Sequence, residues 1–218
     1  VFAKADWRYA HEYVSPMSIA AIRRQAGSEA ELHDPSTIVC FADHLTFVHR
    51  SMPAERRKLG LLDLAQSMAL VQQRFCERHG LRLHGLLDDR EGSEGISHSI
   101  MSERYVKPGQ LAIGTDSHTP HCGALGAFAF GVGATEMAAA WMTGEVRVTV
   151  PPTCRVRLGG ALPAGVEAKD IALHLLRLPY VREGRAIGQV LEYSGDVIAA
   201  LSTDERATLT NMVAEIGG

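Results

Sequence analysis

Two short segments of the sequence place a carboxylate close to an imidazole. Asp43 and His44 are adjacent in FADHL. Asp116 and His118 stand on either side of Ser117 in GTDSHT. A carboxylate beside an imidazole fixes the tautomer of the ring and raises its basicity, as general acid–base catalysis requires. The sequence therefore offers two candidate acid–base pairs.

A third histidine and the position of both pairs strengthen this interpretation. His98 lies upstream of the second pair, in the Gly- and Ser-rich segment GISHS. The pairs follow the predicted strands 37–42 and 110–114, and open α/β sheets bind ligands beyond the carboxyl ends of their strands. Capping of the following helices is the alternative. It accounts for one pair alone better than for two pairs together with His98.

Ser117 invites comparison with a serine hydrolase. Neighbouring residues on an extended segment point to opposite sides, so we do not expect Asp116, Ser117 and His118 to form a relay among themselves. The sequence also lacks the G-x-S-x-G elbow. We therefore reject a serine hydrolase at this site.

Two neighbouring features carry weaker signals. GVGATE at 131–136 has two glycines of a dinucleotide-binding fingerprint but Glu in place of the third, and it falls inside the predicted apolar helix 124–142. We interpret its glycines as close-packing positions. Cys122 is a conceivable nucleophile, but with no base assigned to it a small buried side chain is the better interpretation.

Two polar residues near the end of the sequence are spaced by four. We expect Asn211 and Glu215 to lie on the final helix and therefore to share one face. A solvated polar pair is the alternative, although the small and apolar residues around them indicate that this face is not free surface.

Strand-like runs alternate with helical patterns along the chain. Strands are predicted at 37–42, 110–114, within 146–160 and at 186–195. Helices are predicted at 61–80, 124–142, 168–177 and from the capping box STDE at 202–205, and an exposed loop at 27–36. The alternation predicts an α/β fold, a layered α/β/α arrangement with a mainly parallel sheet. We expect one α/β region over 1–218, and the pattern allows a subdomain change near 145–160.

The composition excludes several classes of protein. A net charge of −3 with scattered Lys and Arg gives no basis for nucleic-acid binding. No apolar run approaches the roughly 20 residues of a membrane span, so we expect no membrane insertion. The four cysteines contain no C-x-x-C pair, so we expect reduced thiols and a cytoplasmic location: Cys40, Cys76, Cys122 and Cys154.

Taken in order, these segments resemble the aconitase superfamily, and most closely the large subunit of the 3-isopropylmalate dehydratase and homoaconitase type. The matching segments cover about 35–218: FADHL, GISH, KPGQLAIGTDSHT, GALGAFAFGVGATE, VPPTCRVRLGG, LPAGVEAKDIALHLLR, LEYSG and ALSTDERATLTNMVAEIGG. The succession of GTDSHT, GAFAFG and NMxxE is the specific part of the match.

The resemblance implies an aconitase-like amino-terminal domain of an iron–sulfur hydro-lyase. Such an enzyme dehydrates a hydroxy di- or tricarboxylic acid, such as 3-isopropylmalate, homocitrate or citrate, and rehydrates the alkene. The resemblance also implies a [4Fe–4S] cluster, a role in leucine or related amino-acid biosynthesis, and a small swivel-domain subunit or carboxy-terminal domain as partner.

The resemblance further implies roles for individual residues of the two pairs. By motif position, the Asp–His couple of the family falls on Asp43 and His44. The second active-site histidine of the family falls on His98, with Asp116 as its partner.

Four more residues match functional positions of the family. The histidine that contacts the substrate hydroxyl falls on His118, with Glu215 as its carboxylate partner. Ser117 matches the active-site serine of the DSH motif. Asn211 matches the asparagine beside the cluster.

The sequence departs from the family in three respects. It contains neither the G-S-C-T-N nor the C-G-x-C segment that carries the cluster cysteines, so we expect no cluster on this chain alone. The serine base and most carboxylate-binding arginines of the family come from later domains or a small subunit. The usual H-D-x-T-x-P-like opening reads HEYVSP at 11–16.

We therefore expect the amino-terminal portion of a dehydratase large subunit, inactive in isolation. Two alternatives remain open at this point. One is a truncated, non-catalytic family member that acts as a binding or assembly module. The other is a cluster-free isomerase that uses only the His–carboxylate pairs.

Overall fold

The computed structural model describes residues 1–87 and 92–218. The strands are β1 Phe2–Lys4, β2 Trp7–His11, β3 Ile38–Phe41, β4 Arg82–His84, β5 Leu111–Gly114, β6 Phe128–Gly131, β7 Glu145–Arg147, β8 Thr153–Arg157 and β9 Val190–Ser194. The helices are α1 Ser15–Ala26, α2 Val48–Ser51, α3 Ala54–Lys58, α4 Leu61–His79, α5 Ser97–Ile100, α6 Ala134–Thr143, α7 Ala168–Arg177, α8 Pro179–Arg182, α9 Asp196–Ala200, α10 Thr203–Asn211 and α11 Val213–Ile216. Shorter helical segments are Pro35–Thr37, Met101–Tyr105 and Thr119–Leu125.

A five-stranded parallel sheet in the order β4-β3-β2-β5-β6 forms the centre of the structure. All four residues of β3, the run IVCF, are buried, as expected for a parallel strand covered on both faces. Helices α1, α4 and α6 cover one face, where Ile19, Phe75 and Trp141 pack together. On the other face Tyr9 packs with the segment around Met101. The predicted layered α/β fold with a mainly parallel sheet is confirmed.

Two smaller sheets complete the architecture. Strand β1 pairs antiparallel with β7, and β8 pairs parallel with β9. The pair β8–β9 packs on α7, α9 and α10 through a separate apolar cluster that includes Ala172, Leu175 and Leu209. Within the described residues, no helix combines the length and apolar character needed to cross a membrane.

Several predicted elements are confirmed with small changes of boundary. Strands 37–42 and 110–114 correspond to β3 and β5, and helices 61–80 and 168–177 correspond to α4 and α7. Gly80 ends α4 in the left-handed conformation at φ 65°. The capping box is present, because the Ser202 amide donates to the Glu205 carboxylate at 2.8 Å and the Ser202 hydroxyl accepts from the Glu205 amide.

Other predicted boundaries shift further. The segment 27–36 forms a mostly exposed loop, as expected. The segment 146–160 contains the end of β7 and all of β8, separated by an irregular stretch. Of the predicted strand 186–195, only β9 is extended.

The prediction of a continuous helix over 124–142 is wrong. Strand β6 lies inside this range, and only α6 is helical. The run alternates between the two faces of the sheet, because Ala129 packs on one apolar cluster and Phe130 on the other. GVGATE therefore lies at a strand-to-helix turn and not inside a helix. A small, apolar run fits either period, and pairing with β5 decides in favour of the strand.

Gly131 is a close-packing position, at the end of β6. A Cβ atom at Gly131 would lie 2.7 Å from the carbonyl oxygen of Asp116 and 3.3 Å from Cα of Ser117. Both neighbours are backbone, so they can make room only if the turn after β5 moves. The glycine therefore allows β6 to approach the segment that carries Asp116 and His118.

We expect Gly131→Ala to destabilise the chain by about 1–3 kcal/mol, because the added methyl overpacks against rigid backbone. Urea unfolding measures the change. Gly159→Ala is the matched control, since nothing lies within 4 Å of a Cβ at Gly159 and its φ is not positive. Equal unfolding free energies for the two variants would contradict the close contact.

Candidate active site

The candidate residues collect at the carboxyl edge of the sheet. His11 ends β2, Asp43 and His44 follow β3, and Asp116 to His118 follow β5. These three strands are neighbours in the sheet, and the carboxyl ends of parallel strands meet at one edge. The topology thus brings together residues that lie as much as 107 positions apart in the sequence.

One carboxylate, that of Asp116, contacts three imidazoles. Its Oδ2 lies 3.0 Å from Nε2 of His44, and its Oδ1 lies 3.3 Å from Nε2 of His98. Oδ1 is also 3.3 Å from Nδ1 of His118 and accepts a hydrogen bond from the His118 backbone amide at 2.7 Å. We expected Asp116 to pair with His98; in the structure it contacts His44 and His118 as well.

His44 is held between two carboxylates. Its Nδ1 lies 2.8 Å from Oδ1 of Asp43, and its Nε2 lies 3.0 Å from Oδ2 of Asp116. An ionised carboxylate only accepts hydrogen bonds, so both ring nitrogens of His44 must donate, which makes the ring an imidazolium. The hydrogen bonds to Asp116 and then Asp43 raise the pKa of His44 to about 10.

The two carboxylates respond in the opposite direction. Hydrogen bonds from His44 and His98 hold the pKa of Asp116 far below its usual range. Burial alone would raise the pKa of Asp43. The hydrogen bond from His44 and the backbone amide of Ser97, at 2.7 Å, outweigh burial and leave that pKa lowered. Both carboxylates are therefore anionic at neutral pH.

His98 is positioned from its other side by Tyr9. The Tyr9 hydroxyl lies 3.4 Å from Nδ1 of His98, and Tyr9 is buried on β2. Burial raises the pKa of Tyr9 well above its ordinary value, so the phenol keeps its proton and can donate it to Nδ1. His98 is thus fixed between a phenol and the Asp116 carboxylate.

His118 contacts Glu215 and Ser117. Its Nε2 lies 3.2 Å from Oε1 of Glu215, and its Nδ1 lies 3.3 Å from Oγ of Ser117. The expectation that Asp116, Ser117 and His118 lie on an extended segment is wrong, because they form a turn that leads into a 3-10 helix. Asp116, Ser117 and His118 still do not form a relay among themselves, because Ser117 and Asp116 both face Nδ1 of the ring. The carboxylate on the opposite nitrogen is that of Glu215.

Asn211 and Glu215 do not share one continuous helix. Helix α10 ends at Asn211, and α11 begins at Val213. Glu215 reaches His118, whereas Nδ2 of Asn211 lies 3.4 Å from Nδ1 of His121. Neither Gly nor Pro lies between the two helices, so the sequence carries no signal for this break.

Sequence reasoning missed Glu12 as a support of the site. Glu12 is 1% exposed, and its carboxylate accepts hydrogen bonds from the backbone amides of Asp43, at 3.2 Å, and Leu45. Burial raises the pKa of Glu12, although the Leu45 amide opposes that shift. Glu12 therefore holds the turn that carries Asp43 and His44. The departure at HEYVSP lies directly beneath this couple.

His11 was also noted only as part of that departure. Its ring stacks on the ring of His44, with centroids 3.6 Å apart and an interplanar angle of 12°. Burial, together with the charge of His44, lowers the pKa of His11 to about 4, so the ring is neutral at pH 7. The sequence could have indicated both residues, because His11 and Glu12 are an imidazole–carboxylate pair at the end of a strand, like Asp43 and His44.

Among the described residues, the side chains of His11, Glu12 and His44 lie close enough together to bind a metal ion. Their ligand atoms lie within 4.8 Å of one another. An imidazolium has no lone pair for a metal, and both nitrogens of His44 are already bound to carboxylates. A metal would have to displace one of these contacts. We therefore interpret the group as a hydrogen-bonded network.

The cysteines do not fit an iron–sulfur cluster. Cluster ligation needs thiolates that converge on one point. Cys40 and Cys76 are buried in the apolar layer on one face of the sheet and Cys122 in the layer on the other, while Cys154 lies on β8. Burial raises the pKa of Cys122 to about 11. Among the described residues, these cysteines offer no common ligand set.

Comparison with known proteins identifies the family. Residues 2–218 match the Aconitase family (aconitate hydratase). The chain belongs to the aconitase family. The resemblance drawn from the ordered motifs is thereby confirmed.

Three relatives illustrate the similarity, and each match covers 99–100% of this chain. The chain is 34% identical over 221 residues to the probable 3-isopropylmalate dehydratase large subunit of Methanosarcina mazei. It is 35% identical over 218 residues to 3-isopropylmalate dehydratase large subunit 1 of Archaeoglobus fulgidus, and 35% over 215 residues to the methanogen homoaconitase large subunit of Methanocaldococcus jannaschii. The matches cover 48%, 47% and 46% of these proteins, so the chain spans about half their length.

We expect Asp116→Asn to lower the pKa of His44 from about 10 toward its ordinary value of 6.5, because the largest stabilising hydrogen bond loses its charge. NMR titration of the histidine ring protons measures it. Asp63→Asn, the same charge change on the exposed surface of α4, is the control and leaves His44 unchanged. A parent chain in which His44 titrates near 6.5 would contradict the assignment.

The raised pKa of His44 also predicts a pH dependence of stability. A raised pKa stabilises the fold fully below about 6.5, and this contribution is lost as the pH rises through about 10. We expect the unfolding free energy of the parent to fall between pH 6.5 and 10 by more than that of Asp116→Asn. Urea unfolding at these two pH values tests this, and parallel curves would exclude the linkage.

Proposed function

We propose that this chain supplies the acid–base residues on one side of the active site of an iron–sulfur hydro-lyase. The reaction removes water from a hydroxy di- or tricarboxylic acid and adds it back to the alkene. The observation that carries the proposal is the single Asp116 carboxylate shared by three imidazoles at the carboxyl edge of the sheet. Membership of the aconitase family and relatives named as dehydratase and homoaconitase large subunits support it.

Dehydration requires a proton for the departing hydroxyl. We assign this role to His118, whose side chain is 34% exposed and lies against the Glu215 carboxylate, so that the ring is accessible and held in place. His44 is unsuited to this proton transfer, because its two carboxylates hold its proton to about pH 10. We propose that His44 instead holds the Asp43 and Asp116 carboxylates in place.

The remaining residues orient these groups. Asp116 fixes the rings of His44, His98 and His118 relative to one another. Ser117 lies against Nδ1 of His118, on the side opposite to Glu215. In this proposal the serine contacts the substrate from the same turn that carries His118.

A [4Fe–4S] cluster in such enzymes supplies a Lewis-acid iron. The cysteines described above do not fit a cluster, so we propose that its thiolate ligands come from polypeptide other than this chain. Asn211 is the residue of this chain that we place beside the cluster. We further propose a small subunit as partner, since the relatives are named large subunits, and a cytoplasmic location.

Reconstitution of the cluster tests whether its thiolate ligands come from polypeptide other than this chain. We expect the 218-residue chain, treated anaerobically with iron and sulfide, to bind less than a stoichiometric cluster, as measured by iron content and visible absorbance. A matched sample of polypeptide that also carries G-S-C-T-N and C-G-x-C segments should bind one. A stoichiometric cluster on the 218-residue chain would overturn the proposal about the ligands.

Activity tests the reaction. With the cluster-bearing polypeptide and small subunit present, we expect hydration of at least one alkene derived from isopropylmalate, homocitrate or citrate. Asp116→Asn should lower kcat by about 100-fold or more, the typical share of positioned acid–base groups. If the parent assembly hydrates none of these three alkenes, the proposal of a hydro-lyase is contradicted.

The second candidate is a non-catalytic binding or assembly module. The cysteine arrangement favours it, because this chain lacks a converging ligand set within its described part. Reading the encoding sequence for the two cysteine segments separates the candidates. Their absence from the gene and its neighbours would favour the module.

A further inference from the structure

His121 is a fourth histidine beside the candidate site. It lies in the 3-10 segment Thr119–Leu125, and its ring centroid is 5.8 Å from that of His98, at an interplanar angle of 30°. It is not among the eight residues that match functional positions of the family. Its Nδ1 faces the carboxamide of Asn211, at 3.4 Å from Nδ2.

The chemistry of this contact fixes the state of the ring. A carboxamide nitrogen carries only hydrogens for hydrogen bonding, so Nδ2 of Asn211 donates and Nδ1 of His121 accepts. His121 is therefore a neutral ring that carries its proton on Nε2. Burial, and then the neighbouring His98, lowers the pKa of His121 to about 4, so the accepting form is present at pH 7.

The backbone around His121 strengthens the contact. The hydroxyl of Thr210 donates to the carbonyl oxygen of His121 at 3.0 Å, so consecutive residues at the end of α10 bind the main chain and the side chain of one histidine. The neighbouring Gly123 packs against the same threonine, since a Cβ there would lie 3.5 Å from its methyl carbon. Thr210 and Asn211 therefore both contact the segment that carries His121.

Asn211 and His121 line the same cavity. Its volume is about 540 Å³, and its other polar lining residues include Ser99, Ser102 and Thr208. The charged or titratable groups around His121 are His98, Glu103, Lys169 and Asp204. With Nδ2 held by His121, the carbonyl oxygen of Asn211 lies on the opposite branch of the planar group.

We propose that His121 is a positioning residue of the site, whose Nδ1 fixes the rotation of the Asn211 carboxamide and so determines where its carbonyl oxygen points. This inference deepens the proposed function, because it rests on Asn211 serving the site. The contact between the two side chains is independent of any reaction. It can therefore be tested separately.

Asn211 is the sole asparagine of the sequence, so selective ¹⁵N-asparagine labelling gives one side-chain amide pair. In the parent chain we expect that pair to show the shift of a hydrogen-bonded carboxamide and to exchange with solvent about fivefold more slowly than a free one, as a net bond of typical strength implies. His121→Phe should abolish both effects. His49→Phe, on α2, is the control and should leave the pair unchanged.

His121→Asn is the rescue variant, because a carboxamide oxygen at this position falls near the place of Nδ1. This variant adds a second labelled amide pair, so the Asn211 pair is first assigned through its contacts with Met212. The variant should restore the slow exchange of the Asn211 pair, which a merely space-filling role of the ring would not require. In the cluster-bearing assembly, His121→Phe should lower kcat while His121→Asn retains most of it.

Two results would overturn the inference. One is an Asn211 amide in the parent chain that behaves as a free carboxamide, a measurement that needs no variant to fold. The other is an unchanged Asn211 amide in a folded His121→Phe chain. If the amide behaves as expected but no assembly shows hydro-lyase activity, the proposed function fails and the contact stands.

Discussion

The Asp116 carboxylate is the interaction on which the site depends. Three imidazoles converge on it, and its own turn holds it through the His118 amide at 2.7 Å and the Thr119 hydroxyl, which donates to the Asp116 carbonyl at 2.6 Å. A charge taken out of bulk water needs opposite charge and well-placed donors to offset its lost hydration. The rings supply both. Because they lie on separate segments, the parallel sheet must bring those segments to one edge.

A second layer of buried groups keeps this arrangement rigid. Glu12 holds the turn of Asp43 and His44 through backbone amides, and Tyr9 supports His98 from β2. The sheet also supports the site, since Gly131 lets β6 approach the turn that carries Asp116. Preorganised groups of this kind need no reorientation when charge develops on a substrate.

Much of this could be predicted from the sequence. Buried apolar runs such as IVCF and the turn residues around them indicate the strands, and His–carboxylate pairs at strand ends indicate the candidate site. The run 124–142 could not be assigned, because small apolar residues fit both periods until β5 selects the strand. The sharing of Asp116 among three rings and the break between α10 and α11 arise from tertiary contacts that local sequence does not encode.

The histidines at the carboxyl edge of the sheet differ in charge and in exposure. His44 is a fixed cation between two anions, His11 is a neutral ring stacked upon it, and His118 is the accessible ring with its own carboxylate. The central claim is the fixed charge of His44. A ¹⁵N NMR spectrum of the parent chain at pH 8 tests it most directly. Two protonated ring nitrogens on His44 are the predicted result, and a neutral ring with one unprotonated nitrogen would contradict the account.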